Sequence, residues 1–269
     1  MGPSCGRAAD LLDAAERSVC ELAGQGVALV VLPELFALPY YAESDPAGWR
    51  DVAEDMDGPT VSWAVELAAR KDVALVFGLC LAGRPDEKPA NAAVLVAPGQ
   101  PPRVVAEKVH LPPRGPSGFG EVDHFRSSDP TVRTFDYRGF CFAVLICFDR
   151  RFPESWRAAA RAGAEIVLIP VAGPADTDPL GQFEAELRTH ARANAVYALS
   201  AARFGTETVT GTPVRHDGET MAVTPLGERL ASRGTAVVAL SADALSAARN
   251  RNPTHRLNRF TPARGYQDV

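Results

Sequence analysis

Residues 140–154 read FCFAVLICFDRRFPE, an apolar run that passes through a short polar turn into the start of a helix. The run at 140–146 lacks polar alternation, which is typical of a strand buried on both faces. Pro153 suits the first position of a helix, and Glu154 suits its first turn. The stretch therefore predicts a buried strand followed directly by a helix, with Cys147 at the turn between them.

The same alternation of strand and helix extends outward along the chain. Residues 11–22 carry apolar side chains at helical spacing, and Gly24 follows as a stop signal. Further helices are predicted at 61–70, 154–162 and 182–193, and strands at 27–32, 73–79, 92–97, 104–110, 140–146, 165–170, 195–203, 220–223 and 235–240. Strands that are apolar on both faces need helices above and below, so the class is α/β. Periodicity leaves open whether one doubly wound sheet or two stacked sheets lie between the helices.

Two stretches are expected to be irregular. Residues 111–129 are rich in Pro and Gly and predict a long loop of the kind that is usually functional or disordered. From Arg249 the chain is polar and contains proline, and the tail at 250–269 is expected to wrap around the protein or to lie at an oligomer interface. With 269 residues and no evident linker, we expect a single domain over residues 1–269.

Composition and charge narrow the classes of function. A net charge of −5 without long runs of one sign argues against a nucleic-acid partner or an anionic membrane surface. The five cysteines show no C-x-x-C spacing and there is no H-E-x-x-H, so neither a disulfide framework nor a metal site is indicated. The start resembles no signal peptide and no segment has the length of a membrane span. We therefore expect a reduced, cytoplasmic protein.

Cys147 is the best candidate nucleophile. A cysteine at a strand-to-helix turn lies near helix amides, and here also near Arg150 and Arg151, which would favour the thiolate. The arrangement is similar to the nucleophile elbow of other hydrolases. The alternative is a buried structural cysteine, the role that we assign to Cys5, Cys20, Cys80 and Cys141.

Lys108 and Glu34 are the charged groups that a buried site would use. Only three of the 28 Lys and Arg residues are lysines, and Lys108 is the one placed in an apolar strand. A compact ammonium can concentrate its charge on one atom, such as an oxyanion, although a surface ion pair is the alternative. Glu34 ends a buried strand; it is either a solvated charge or a general base whose pKa is raised by desolvation. Glu107 is expected to point to the opposite face from Lys108.

Three segments together resemble the signatures of the nitrilase (carbon–nitrogen hydrolase) superfamily in their order and spacing. They are PEL at 33–35, EKVHLP at 107–112 and ICFDRRFPE at 146–154, and weaker similarity extends from about Ala8 to Tyr266. The resemblance implies a four-layer α-β-β-α sandwich and a site without metal or organic cofactor. It makes Glu34 the general base, Lys108 the cation that stabilises the tetrahedral intermediate and Cys147 the nucleophile.

The resemblance also implies a second glutamate in the loop after the lysine, and Glu121 matches it best. It implies a mechanism in which the thiolate attacks an amide or ureido carbonyl and the resulting thioester is hydrolysed. Backbone amides near Phe148, together with Lys108, would hold the oxyanion. The chain departs from the family in two places. Residues 1–7 are too short and polar for the family's usual first strand, and residues 170–174 lack the usual pattern of the pocket loop.

The substrate is expected to be a small molecule that carries a carboxylate. Asp149-Arg150-Arg151 resembles N-carbamoyl amino acid amidohydrolases, in which such arginines can hold a carboxylate, and guanidinium suits that contact. The alternative is that one arginine pairs with Asp149 or Glu154. An N-carbamoyl amino acid is favoured over the ω-amide of a dicarboxylate, and a nitrile is less favoured.

The sequence also leaves open two alternatives from other classes of protein. One alternative is a non-catalytic relative that binds a ligand or partner, and the other is a thiol protease that uses His110 or His190 as its base. A homodimer or larger homo-oligomer is expected from the resemblance. Trp156 and Phe183 are candidate interface anchors, with core packing as the alternative for each.

Overall fold

The computed structural model of the protein describes residues 8–173, 178–232 and 234–257. The described part excludes residues 1–7, where the sequence lacks the family's usual first strand. It also excludes residues 258–269 of the predicted tail. The helices are α1 (Ala8–Gly24), α2 (Pro59–Lys71), α3 (Glu121–His124), α4 (Pro153–Arg161), α5 (Gln182–Asn194), α6 (Ala242–Arg251) and α7 (Thr254–Leu257). The strands are β1 (Leu29–Val31), β2 (Ala74–Leu81), β3 (Ala90–Val96), β4 (Arg103–Glu107), β5 (Thr134–Tyr137), β6 (Phe140–Val144), β7 (Ile166–Val171), β8 (Tyr197–Ala202), β9 (Phe204–Val209), β10 (Thr212–Asp217), β11 (Met221–Val223) and β12 (Arg229–Ser232).

The strands form two stacked sheets and a separate hairpin. The first sheet has the order β1-β2-β3-β4, the second has the order β12-β11-β8-β7-β6-β5, and β9 pairs with β10 alone. Strands β6, β7 and β8 run parallel because α4 and α5 connect them as crossover helices. The stacked-sheet alternative left open by periodicity is therefore the observed one.

Helices cover the outer face of each sheet. Helices α1 and α2 pack their apolar side chains, among them Val19 and Leu67, on the first sheet. Trp156 of α4 and Phe183 of α5 belong to the core of the second sheet, which continues into the space between the sheets. The four-layer α-β-β-α sandwich is thus confirmed. Trp156 and Phe183 are both at most 1 % exposed within their own chain, so the core role applies to them and the interface role does not.

The predicted strand at 235–240 is wrong. This segment has no regular structure, and a largely apolar cavity of about 520 Å³ separates it from β1. A strand needs a neighbour about 5 Å away to bond its backbone groups. Among the described residues no strand pairs with this segment, so it runs without a hydrogen-bonded ladder.

Several short elements have no counterpart in the sequence prediction. They are α3 inside the predicted loop, the edge strand β5, the hairpin β9–β10, strand β12, helix α6 before the predicted polar tail and helix α7 within that tail. The start of that tail packs on its own chain, because Asn252 and Thr254 donate to the carbonyl oxygens of Arg192 and Ala193 at the end of α5. Within the described ranges, no helix combines the length and hydropathy that crossing a bilayer requires.

Candidate active site

Glu34 lies in the turn that follows β1 and is fully buried. Leu35 adopts a positive φ of 47°, so the chain turns sharply directly after the glutamate. Arg203 donates to the carbonyl oxygens of Glu34, Leu35 and Leu38 and so satisfies the backbone of this turn. The geometry aims the Glu34 carboxylate into the space between the ends of the two sheets.

Lys108 follows the last residue of β4, and its ammonium lies between two buried carboxylates. Nζ is 2.7 Å from Oε1 of Glu34 and 2.7 Å from both oxygens of Glu121. Lys108 and Glu121 are each 1 % exposed, so this ion cluster is buried away from the protein surface. Glu107 points the other way and pairs with Arg126 at 2.9 Å, as the alternation of strand side chains predicts.

Two further residues complete this cluster, and the sequence reasoning missed both. Asn91 donates from Nδ2 to Glu34 at 2.7 Å, and the Tyr40 hydroxyl donates to Glu121 at 3.0 Å. The backbone amide of Ala172 donates to the second oxygen of Glu34 at 2.8 Å. The sequence did contain a signal for Asn91, because it is a polar residue within the otherwise apolar strand β3.

Cys147 lies at the first position of a 3-10 turn, Cys147–Arg151, between β6 and α4. Its φ of 46° is unusual for a residue with a side chain and marks a sharp turn of the nucleophile-elbow kind. Asp149 secures this turn: one carboxylate oxygen accepts from the Ile146 amide at 3.3 Å and the other from the His110 amide at 2.9 Å. The segment that carries Lys108 is thereby tied to the segment that carries Cys147.

Glu34 is the acid–base group in contact with the Cys147 thiol. The two histidines considered as protease bases have other partners. His110 faces Asp149 at 2.8 Å through Nδ1, and His190 stacks on Trp156. The geometry therefore favours a Glu-Lys-Cys site over a Cys-His pair.

The pKa values of Glu34 and Cys147 shift in the opposite directions to those expected from the sequence. Burial alone would raise the pKa of Glu34, but the charge and hydrogen bonds of Lys108, with those of Asn91 and Cys147, hold the pKa below its ordinary value. Burial and the nearby Glu34 raise the pKa of the Cys147 thiol to about 12, against the opposing charges of Lys108 and Arg150. The resting site therefore holds a neutral thiol beside an ionised carboxylate, instead of a thiolate beside a carboxylate with a raised pKa.

Burial opposes the charge on Lys108, but Glu121 and Glu34 outweigh it and raise the pKa of the ammonium well above its ordinary value. Burial and the charge of Glu34 raise the pKa of Glu121. One cation thus compensates two carboxylates, and the site carries excess negative charge when both are ionised. A developing oxyanion here depends on Lys108 remaining charged.

We predict that the Cys147 thiol makes folding stability fall at alkaline pH. Because the native thiol keeps its proton while the unfolded thiol ionises, stability falls as pH rises from about 9 toward 12, by about 1.4 kcal/mol per unit. Urea unfolding of the wild type and Cys147→Ser between pH 8 and 11 measures this slope. The slope is expected to be shallower in Cys147→Ser and unchanged in the control Cys20→Ser. Equal slopes in all three proteins would contradict the prediction.

The predicted substrate arginines have protein partners. Arg150 pairs with Asp178 and lies 3.2 Å from Glu186, and it donates to the Cys147 carbonyl at 3.1 Å. Arg151 also pairs with Asp178 and packs over the ring of Phe148. The side chain of Arg150 is 5 % exposed and that of Arg151 is 31 % exposed. Arg150 therefore supports the turn that carries Cys147, and Arg151 is the more accessible of the two.

Gly78 allows the Glu34 turn to approach β2 closely. A Cβ at this position would lie 2.3 Å from the Leu35 nitrogen and 2.5 Å from the Glu34 Cα, both backbone atoms that cannot move independently. We predict that Gly78→Ala costs about 1–3 kcal/mol in unfolding free energy. Displacement of Glu34 is expected to lower turnover by about 100-fold. Gly24→Ala is the control, because nothing lies within 4 Å of its added Cβ; similar behaviour of the two variants would refute the prediction.

The chain belongs to the carbon–nitrogen hydrolase family, whose sequence profile it matches over residues 1–249. It is 30 % identical to an (R)-stereoselective amidase from a Pseudomonas species, over 82 % of this chain and 76 % of that protein. It is 28 % identical to an N-carbamoylputrescine amidase from Oryza sativa subsp. japonica, over 74 % and 66 %. The chain is therefore a carbon–nitrogen hydrolase.

Solved structures agree with this assignment. A variant of an amidase of the nitrilase superfamily from Nesterenkonia AN1 is 28 % identical, with a TM-score of 0.73 over 96 % of this chain and 95 % of that one. Another structure of that amidase shows acrylamide joined by Michael addition to its active-site cysteine.

Proposed function

We propose that the protein hydrolyses a non-peptide C–N bond of a small amide or ureido substrate through a cysteine acyl-enzyme, with release of ammonia. The observation that carries this proposal is the buried cluster of Glu34, Lys108 and Glu121 in contact with Cys147. Burying an ion cluster of this kind costs desolvation free energy, so a gain in folding stability is a weak explanation for its presence. Its cation and base are instead placed for attack by a neighbouring thiol.

In the proposed mechanism, Glu34 takes the thiol proton as Sγ of Cys147 attacks the substrate carbonyl carbon. Lys108 and the backbone amide of Phe148 donate to the developing oxyanion. Glu34 then returns the proton to the leaving nitrogen, ammonia departs and a thioester remains. Water, deprotonated by Glu34, attacks the thioester and releases the acid product and the free thiol. Glu121, held by the Tyr40 hydroxyl, keeps the ammonium of Lys108 in place.

We propose that the substrate carries a carboxylate that Arg151 binds, with N-carbamoyl amino acids ahead of dicarboxylate ω-amides and nitriles. The partial exposure of Arg151 supports this role, because its guanidinium can exchange Asp178 for a substrate carboxylate at little desolvation cost. Arg150 is matched by Asp178 and Glu186, so we assign it to the turn of Cys147 instead of the ligand.

A cationic substrate is the second candidate, and a specific observation favours it. Arg150 and three carboxylates, those of Asp178, Glu186 and Asp217, all act electrostatically on Glu219. Burial, opposed by Arg150 and aided by the other three carboxylates, raises the pKa of Glu219 to about 7. Excess negative charge of this kind would suit an amine, and the rice relative is named for a substrate that carries one.

Ammonia release from a charge-matched panel tests both candidates. The panel contains N-carbamoyl-β-alanine, glutaramate, N-carbamoylputrescine, an uncharged amide and a nitrile. Preference for the carboxylates, with KM raised in Arg151→Ala for those substrates alone, supports the first candidate. Preference for N-carbamoylputrescine supports the second. No turnover of any compound by folded protein would favour the non-catalytic binding alternative.

We also propose that the protein assembles as a homodimer or larger oligomer. Leu180 supports this, because it is a fully exposed large apolar side chain just before α5. Light scattering measures the mass in solution, and a monomer at micromolar concentration would overturn the proposal.

A further inference from the structure

The hairpin β9–β10 places a buried acid–imidazole pair beside the candidate active site. Glu207 of β9 and His216 of β10 are 3 % and 5 % exposed, and Nε2 of His216 lies 2.8 Å from Oε1 of Glu207. Neither residue belongs to the signature segments, and neither takes part in the proposed chemistry. The hairpin pairs with no other strand among the described residues.

The pair is connected to both sides of Cys147. Nδ1 of His216 lies 3.1 Å from the carbonyl oxygen of Gly173, and a Cβ on Gly173 would be 3.7 Å from Sγ of Cys147. On the other side, Glu207 accepts from the Tyr40 amide at 2.8 Å, and the Tyr40 hydroxyl reaches Glu121. The hairpin thus holds the segment that lines the thiol and the residue that supports Glu121.

Both neighbours of the imidazole are hydrogen-bond acceptors. A carbonyl oxygen and a carboxylate oxygen can only accept, so His216 satisfies both contacts only when both ring nitrogens carry protons. A neutral imidazole would aim a lone pair at one of these acceptors and lose that contact. The structure therefore accommodates the imidazolium better than either neutral tautomer.

The charged groups around the pair agree with this. The Arg203 guanidinium lies 3.2 Å from Glu207, and the Tyr40 ring meets the imidazole edge-on. On β10 itself, Arg215 and Asp217 pair with each other at 2.8 Å. Burial would raise the pKa of Glu207, but the hydrogen bond of His216 and the charge of Arg203 hold the pKa below its ordinary value, so the carboxylate is ionised.

We propose that His216, as an imidazolium bridging the Glu207 carboxylate and the Gly173 carbonyl, is a positioning residue that fixes the pocket wall beside Cys147. Loss of the bridge releases Gly173, and the substrate is then held less well. This inference rests on the proposed hydrolysis, and it predicts that removing the bridge raises KM while kcat changes less.

The separate effects on KM and kcat distinguish a positioning role from a merely structural one. In His216→Gln, both N–H donors lie on a single amide nitrogen, which cannot span two acceptors as the two ring nitrogens do, so KM is expected to be about tenfold higher while kcat changes less. In Glu207→Gln one acceptor of the bridge loses its charge, so a smaller rise in KM is expected. Thr208→Ala, on the exposed face of the same hairpin, is the matched control and is expected to keep the wild-type KM and kcat. A loss of kcat with KM unmoved in both variants would overturn the proposal.

Nitrogen-15 NMR of the imidazole tests the proposal without any substrate. The His216 resonances, assigned by their loss in His216→Gln, are expected to show that both ring nitrogens carry hydrogen-bonded protons in the wild type. A neutral ring would refute the bridge even if the enzyme is active. A charged ring in a protein that turns over no compound would instead refute the proposed hydrolysis while the bridge stands.

Discussion

Cys147→Ala is expected to abolish ammonia release, with a loss in kcat of at least about 10⁴-fold, as found when a catalytic nucleophile is removed. Without Sγ there is no thioester, and the remaining groups can only orient water toward a carbonyl. The measurement is ammonia release with the preferred substrate at saturation, together with mass spectrometry of rapidly quenched wild-type enzyme. A covalent acyl adduct is expected on the wild type and none on the variant.

Cys141→Ala is the matched control, because Cys141 lies on β6 just before the nucleophile turn and has no part in the cluster around Glu34. It is expected to retain turnover and to form the acyl adduct. Equal ammonia release by Cys147→Ala and the wild type would exclude the thiol mechanism. Residual activity without an adduct in either protein would point to direct hydrolysis by activated water.

Lys108→Met is expected to destabilise the fold by about 3–5 kcal/mol, because it leaves the carboxylates of Glu34 and Glu121 buried without their cation. Turnover is expected to fall by at least about 100-fold in whatever protein still folds, since the main oxyanion donor is lost. Urea unfolding measures the first effect and single-turnover kinetics measures the second.

A second variant keeps this prediction testable if the single one does not fold. Lys108→Met combined with Glu121→Gln removes one of the two uncompensated charges, so it is expected to recover part of the lost stability but no activity. Lys71→Met at the exposed end of α2 is the control, with an expected change within about 0.5 kcal/mol. A stable, active Lys108→Met would show that the ammonium is neither buried counter-charge nor catalyst.

Much of the architecture was predictable from local pattern. Long apolar runs and helical spacing identified α1, α2, α4 and α5 and the central strands, because each buries one continuous face and carries its signal in neighbouring residues. The turn at Cys147 was visible for the same reason, since strand, turn and helix start lie within fifteen consecutive residues. Short elements were not predicted. The hairpin β9–β10 is largely polar, and the local feature that marks it is the turn at Thr210 and Gly211, both with positive φ.

The residues of the candidate site also fall into two groups, those that the sequence predicted and those that only the structure revealed. Sequence alone predicted Glu34, Lys108, Glu121 and Cys147 as site residues, through motif order and through one lysine placed where arginine is the rule. Only the tertiary structure brought in Asn91 and Tyr40, paired Arg150 with Asp178, and left residues 235–240 without a strand partner. It also decided that the resting thiol is neutral. Ionisation and pairing depend on burial and on distances between side chains remote in sequence, and no local pattern encodes those distances.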